Sequence, residues 1–287
     1  MTREVPAAWL VGDHDWVPRG DYDTKRQVWV TDLEVENRFP DSGVDLFHAV
    51  DDESFWFAHR NTIIATLLDR FGNGTVMLEV GSGSGVVAAE LTERGYDVAA
   101  VEPIATGAQM AAERGVRLSV CGDLQSLHLP DGSIPNVGLF DVIEHLDDPE
   151  RLIGECRRIL EPDGKIFITV PAHQWLWSYF DEWNGHRYRY SRSSLIEQLG
   201  RAGFETLWCS YFFLPLILPA LLRRLRSAIG SAPADQVADR LVDQLAPPAL
   251  LDRTLRLVLA PERVAVGRAR IPTGTSVIFV GRPGEGA

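Results

Sequence analysis

Leu78-Glu79-Val80-Gly81-Ser82-Gly83-Ser84-Gly85 decides how this chain is read. The apolar run Thr75–Val80 ends in glycines at alternate positions, and Val86–Arg94 then repeats apolar residues at helical spacing up to Gly95. In the order strand, glycine turn, helix, the backbone can turn sharply and a ligand can approach without a Cβ in the way. The next apolar run, Asp97–Val101, is followed by Glu102, where a carboxylate can accept hydrogen bonds from both hydroxyls of a ribose. The spacing is G-x-G-x-G. A dinucleotide fingerprint requires G-x-G-x-x-G, and Val86 stands where its last glycine would be, which disfavours a nicotinamide oxidoreductase.

Working outward, the chain alternates between the two periods. Ser54 can cap a helix with apolar residues at Phe55, Ile63, Ile64, Leu67, Leu68 and Phe71, stopped by Gly72 and Gly74. Beyond Glu102, helices are expected over Thr106–Arg114, Pro149–Leu160 and Ser191–Ala202. Strands are expected over Val116–Cys121, Val137–Phe140, Ile166–Val170, Phe204–Tyr211 and Thr275–Val280. Such alternation predicts an α/β fold, a Rossmann-like doubly wound parallel sheet with helices on both faces. Residues 1–44 are polar and turn-rich with scattered tryptophans (Trp9, Trp16, Trp29) and read as an N-terminal arm or cap. The stretch 211–222, YFFLPLILPALL, is too short to span a bilayer and is interrupted by Pro215 and Pro219. It reads as a buried helix or pocket wall or, with Arg223, Arg224 and Arg226 behind it, as a membrane-surface or lipid contact.

Composition narrows the function classes. The 287 residues carry 28 Lys and Arg against 40 Asp and Glu, a formal charge of −12, with 45% hydrophobic and 24% charged residues. That is the mix of a globular protein, and its acidity argues against nucleic-acid binding. The three cysteines (Cys121, Cys156, Cys209) give neither a disulfide framework nor a zinc spacing. The N-terminus lacks the apolar core of a signal peptide, so the cytoplasm is the expected compartment.

The chain resembles the class I S-adenosylmethionine-dependent methyltransferases, in the small-molecule subgroup similar to the ubiquinone-pathway enzymes. The resemblance rests on residues 78–85, on Ala100-Val101-Glu102-Pro103, on Cys121-Gly122-Asp123-Leu124, on Leu139-Phe140-Asp141-Val142-Ile143-Glu144-His145-Leu146 and on Ile159-Leu160-Glu161-Pro162-Asp163-Gly164-Lys165. It covers roughly 54–211 and the last strand near 271–282. It implies a seven-stranded sheet with an antiparallel last strand and S-adenosylmethionine as cofactor. Gly81, Ser82, Gly83 and Gly85 would pass under the methionine and ribose. Glu79 would orient the methionine amine, Glu102 the ribose, and Asp123 with the Leu124 backbone the adenine. Pro103 belongs to the same site, and Leu139 and Phe140 would offer main-chain carbonyls. Related enzymes close the methionine end with the helix before the first strand, where Trp56 and Arg60 stand. Arg60 can pair with the cofactor carboxylate or simply face solvent. One departure is Pro135-Asn136, where the family often has an acid opening the fourth strand.

His145, just past the fourth strand, is the first candidate base, because a histidine near neutral pKa can take a proton as a methyl arrives. The alternative is that it packs or caps its loop. The aromatic stretch 175–190 follows the fifth strand at the edge where ligands bind, and there His186, Arg187 or Arg189 would contact a polar or anionic group. Asp181, Glu182 and His186 are a weak metal set, and no metal is expected. His14, His48, His59, His128 and His173 are read as incidental.

The expected organisation is an arm over 1–44, a cofactor domain over 45–211 plus 271–287, and a helical lid insertion over 212–270. The expected function is methyl transfer to a small aromatic, polyketide-like or isoprenoid acceptor, with oxygen favoured and nitrogen or carbon open. Neither nucleic-acid binding nor stable membrane insertion is expected; peripheral contact through 211–226 and a homodimer stay open. So do two further readings: a methyltransferase fold using bound cofactor for cyclisation or isomerisation, and a membrane-surface binding module.

Overall fold

The computed structural model describes residues 9–11, 14–16, 18–31, 48, 50–52, 54–229, 242 and 245–284, with 9–11, 14, 15 and 226–229 described by backbone alone. The strands are β1 (Trp9–Val11), β2 (His14–Trp16), β3 (Asp21–Asp23), β4 (Val28–Val30), β5 (Val76–Val80), β6 (Asp97–Glu102), β7 (Leu118–Cys121), β8 (Ile134–Phe140), β9 (Leu160–Pro171), β10 (Phe204–Phe212) and β11 (Ser276–Pro283). The helices are α1 (Phe55–Phe71), α2 (Val86–Glu93), α3 (Ala105–Glu113), α4 (Pro149–Ile159), α5 (Tyr179–Trp183), α6 (Arg192–Arg201), α7 (Ile217–Ile229) and α8 (Ala249–Ala265).

One sheet runs in the order β10-β11-β9-β8-β5-β6-β7-β4-β3. Its parallel centre, β9-β8-β5-β6-β7, is flanked on one side by β11, which runs against it, and then by β10, which runs with it; this is the expected seven-stranded arrangement. The sheet nevertheless has nine strands. β4 from the N-terminal arm pairs parallel with β7, and β3 pairs antiparallel with β4. This part of the arm therefore extends the sheet instead of capping it; β1 and β2 pair antiparallel in a separate two-stranded sheet, and 1–8, 12–13, 17 and 32–44 lie outside the described residues.

Local chemistry sets the boundaries. The Ser54 hydroxyl accepts from the Trp56 N–H at 3.2 Å to start α1, and the Gly72 N–H bonds back to the Leu68 carbonyl. Ser191 caps α6 reciprocally with Ser194. α4 and α6 cover one face of the sheet through Leu152, Ile153, Cys156, Leu195 and Leu199. α1, α2 and α8 cover the other through Ile63, Ile64, Leu67, Val87, Leu91, Leu259 and Val266. Asn136 shows what replaces the absent acid: its fully buried amide accepts from the Asn73 N–H (2.8 Å) and donates to the Asn73 (2.7 Å) and Val76 (2.8 Å) carbonyls. That clamps β8 to the entrance of β5.

Candidate active site

Strand order reverses at β5, which lies between β8 and β6, and a cavity of about 930 Å³ opens at the carboxyl ends of those strands. Gly81, Ser82 and Gly83 line it, with Glu79, Glu102, Pro103, Asp123 and Leu124 along the same edge. Phe140, Asp141, Glu144, His145 and His186 form the next wall, and α1 contributes Trp56, Phe57 and Arg60. Leu216, Ala220, Leu222, Leu251 and Leu255 close the far side.

The polar groups fit a cationic amino acid joined to a nucleoside. Glu79 is buried with Oε2 unpartnered, and burial pushes its carboxyl up to about 8 against the pull of Arg60. An ammonium group would supply the charge and hydrogen bond that oxygen lacks. Glu102 is likewise raised by burial, to about 7, although its oxygens accept from the Ile104 (2.9 Å) and Gly83 (2.7 Å) N–H groups. A carboxylate so placed can still accept from ribose hydroxyls. Asp123 Oδ1 accepts from the Ser126 N–H at 2.8 Å, which shapes the turn after β7. The arm buttresses that turn: Thr31 and Ser126 hydroxyls are 2.7 Å apart.

Arg60 is not solvent-facing. Its guanidinium lies 4.9 Å from the Trp56 ring centre and 5.0 Å from that of Phe57, and donates to Asp141 Oδ2 at 2.7 Å. Asp141 reaches it from a left-handed backbone, φ 58°. This pairing is internal, so the structure does not leave Arg60 as a bare receptor for a carboxylate.

Two histidines meet at the wall, with ring centres 4.8 Å apart. They differ in chemistry. Burial and the neighbouring His186 hold His145 down at about 3, so it is neutral, not the near-neutral titrating group expected from sequence. His186 Nδ1 lies 2.8 Å from Asp181 Oδ1, and Arg189 grips the same carboxylate through Nε (2.6 Å) and Nη2 (3.0 Å). Burial alone would raise Asp181, but the His186 hydrogen bond and the Arg189 charge bring it down to about 2. An ionised Asp181 accepts a hydrogen bond from the Nδ1–H tautomer of His186, the tautomer whose lone pair lies on Nε2. Glu144 is fully buried with neither carboxylate oxygen partnered. Burial, then the Asp141 charge, puts it well above the ordinary carboxylate range.

Several expectations need correction. Gly85 does not line the cavity. It caps α2 in a left-handed conformation (φ 75°), and a Cβ there would lie 2.5 Å from the Ala111 Cβ, so its smallness serves the packing of α2 on α3. Leu139 is fully buried inside β8, away from the cavity, while Phe140 reaches it. Arg187 turns to Asp147 at 2.9 Å, and Arg189 is committed to Asp181. His59 is not incidental: buried, it sits 2.7 Å from Glu262 of α8.

The potential metal ligands also change. Asp181 is taken by Arg189 and His186, and the Trp177 Nε1 donates to Glu182. The ligand atoms of Glu144, His145 and His186 lie within 4.8 Å of one another, the set among the described residues with metal-ligand spacing. Glu144 stands in the sequence without an assigned role, and its charge inside an apolar run is the signal that marks it.

A methyltransferase domain family model matches residues 56–208, more than half of the chain. A probable S-adenosylmethionine-dependent methyltransferase of Mycolicibacterium smegmatis is 31% identical over 142 residues, which are 49% of this chain and 54% of that protein. A ubiquinone biosynthesis O-methyltransferase of Xanthomonas oryzae is 29% identical over 103 residues, 34% of this chain and 43% of that protein. The chain thus spans about half the length of these curated relatives or less. Among solved structures, Haemonchus contortus phosphoethanolamine N-methyltransferase 2 in complex with S-adenosyl-L-methionine superposes with a TM-score of 0.53 at 22% identity, covering 86% of this chain and 58% of that one, which is a likeness of fold. With the glycine turn, the buried acids and the sheet order in place, the chain belongs to the class I S-adenosylmethionine-dependent methyltransferases.

Proposed function

We propose that this protein catalyses methyl transfer from S-adenosylmethionine to a hydroxyl of a small, largely apolar acceptor. Bound S-adenosylmethionine supplies an electrophilic methyl on a sulfonium and leaves as the neutral thioether S-adenosylhomocysteine. Gly81, Ser82 and Gly83 give the close approach, Glu79 holds the amine, Glu102 the ribose, and Asp123 with Leu124 the adenine. The observation that carries the reading is the Asp181–His186 pair on the cavity wall, with Arg189 fixing the carboxylate. With a hydroxyl acceptor bound, His186 Nε2 would take its proton and Asp181 would stabilise the imidazolium so formed. His145, neutral throughout, packs against His186 and excludes water. The apolar residues of α7 and α8 form the acceptor wall, and 212–270 acts as the lid; aromatic, polyketide-like and isoprenoid acceptors suit its lining. Among the described residues no helix is long and apolar enough to cross a membrane, and we place the protein in the cytoplasm.

The test is transfer of labelled methyl to a panel of phenols, run with His186→Ala beside the unaltered chain. Loss of turnover by roughly 10²-fold or more, with unchanged S-adenosylhomocysteine affinity by calorimetry, supports His186 as the base. Undiminished turnover rejects it. Cofactor binding with no labelled product from any acceptor favours cyclisation or isomerisation instead.

A further inference from the structure

The lid has two faces. Its inner face lines the cavity; its outer face is apolar and open. Of the eleven large hydrophobic side chains exposed among the described residues, nine lie between Leu214 and Val264. On and just before α7 they follow one helical stripe, Leu214, Leu218, Leu222 and Leu225. On α8 Leu250, Leu257 and Val264 recur every seven residues, with Leu251 and Val258 beside the first two. Leu218 is 63%, Leu250 81% and Leu257 67% exposed. Contiguous apolar faces of this kind mark contact surfaces, not ordinary solvated helices.

Charge says what the surface meets. Residues 212–270 hold nine arginines against five acids, while the rest of the chain holds 19 cations against 35 acids. The cationic part of an acidic protein is thus the part with the exposed leucines. A second copy would bring two cationic insertions together, whereas an anionic bilayer complements both the apolar face and the positive charge of 212–270. The cavity also reaches this face: Leu222 and Leu251 line it, yet are 50% and 49% exposed.

We propose that α7 and α8 dock the protein on an anionic lipid surface and that the acceptor is an amphiphile entering the cavity from that surface between Leu222 and Leu251. The second half rests on the methyl-transfer reading above; the docking does not.

Full-length protein is sedimented with phosphatidylcholine vesicles, alone or with about three lipids in ten replaced by phosphatidylglycerol. Binding to the mixed vesicles, weakened by high salt, is expected. The double variant Leu218→Glu with Leu257→Glu, both outside the cavity lining, should cut partitioning on the order of tenfold or more with S-adenosylhomocysteine affinity unchanged. No binding to anionic vesicles, equal binding by the variant, or burial of the face in a vesicle-indifferent dimer overturns the docking. For the acceptor, vesicle-borne pentadecylphenol should be methylated faster than soluble phenol, and equal rates overturn that half. Vesicle binding without S-adenosylhomocysteine affinity would overturn the methyl-transfer reading and leave the docking supported.

Discussion

Glu79 and Glu102 meet the cavity as acids raised by burial from the usual 4.5, to about 8 and about 7. Their stabilising contribution is therefore present at acid pH and is lost as pH rises through those values, because the folded chain holds protons that the unfolded chain releases near 4.5. A bound ammonium reverses the preference at Glu79. S-adenosylhomocysteine binding at pH 6 should release protons, seen by calorimetry in buffers of different ionisation enthalpy. Its affinity should climb towards pH 8, by up to about tenfold per unit for each proton released. Glu79→Gln should weaken binding and flatten that climb; an unchanged slope would assign it to another group. The glycines separate in the same way. Gly85→Ala drives a Cβ against Ala111 at a positive φ and should cost about 2–4 kcal/mol in urea unfolding. Gly83→Ala meets open space at φ 55°, so it should cost about 1 kcal/mol of stability while impairing cofactor binding. The sequence grouped these glycines together because their spacing was visible and their neighbours were not. It also left Glu144, Asp181 and Arg189 unassembled as a working set, since the burial that shifts Glu144 and the fold-back that brings His186 and Arg189 onto Asp181 are not written in local spacing.

The strands and helices of the parallel core could be read from period alone, because each buries a whole face or stripe and repeats it. β3 and β4 could not: three residues each, with Asp21 and Asp23 in the first, they carry too little pattern, and only pairing with β7 orders them. β9 begins at Leu160, earlier than its apolar run at Ile166, because Leu160 already pairs with Ile134 across Pro162 and Gly164. Two acidic side chains tie α8 to its neighbours, and Asp252 accepts from the Phe55 N–H at 3.1 Å. Glu262 accepts from the Phe213 (2.7 Å) and Leu214 (3.0 Å) N–H groups and holds His59 of α1 at 2.7 Å. Burial lowers His59, and Arg263 Nε donates to its Nδ1 at 3.1 Å, so its Nε2 is the side turned to Glu262. Glu262→Ala strands these donors in the interior and should cost about 3–5 kcal/mol, measured as a lowered urea midpoint with an unchanged slope. An effect below about 1 kcal/mol would mean that its leucines and the Asp252 bond to Phe55 hold α8 without Glu262.

Taken whole, the molecule divides its labour between a sheet edge that fits the cofactor and an insertion that walls the rest of the cavity. Amide exchange should report that division. Saturating S-adenosylhomocysteine should slow exchange in 79–85, 102–104 and 122–126, where backbone groups line or brace the cofactor edge, and leave 217–225 and 249–265 nearly unchanged. Equal protection of the two helices would show that they close on the cofactor alone.

The insertion also leaves and rejoins the sheet at one place. β10 and β11 pair antiparallel along their length, and Phe212 stands opposite Ser276, so everything between departs from the end of a hairpin. A segment whose two ends are already neighbours is a cassette: it can be exchanged without re-threading the chain, provided its replacement still covers the sheet face that Leu259 and Val266 of α8 bury. On the proposed reading, new acceptor ranges would arise, in nature or at the bench, by trading this one piece while the cofactor half stays as it is.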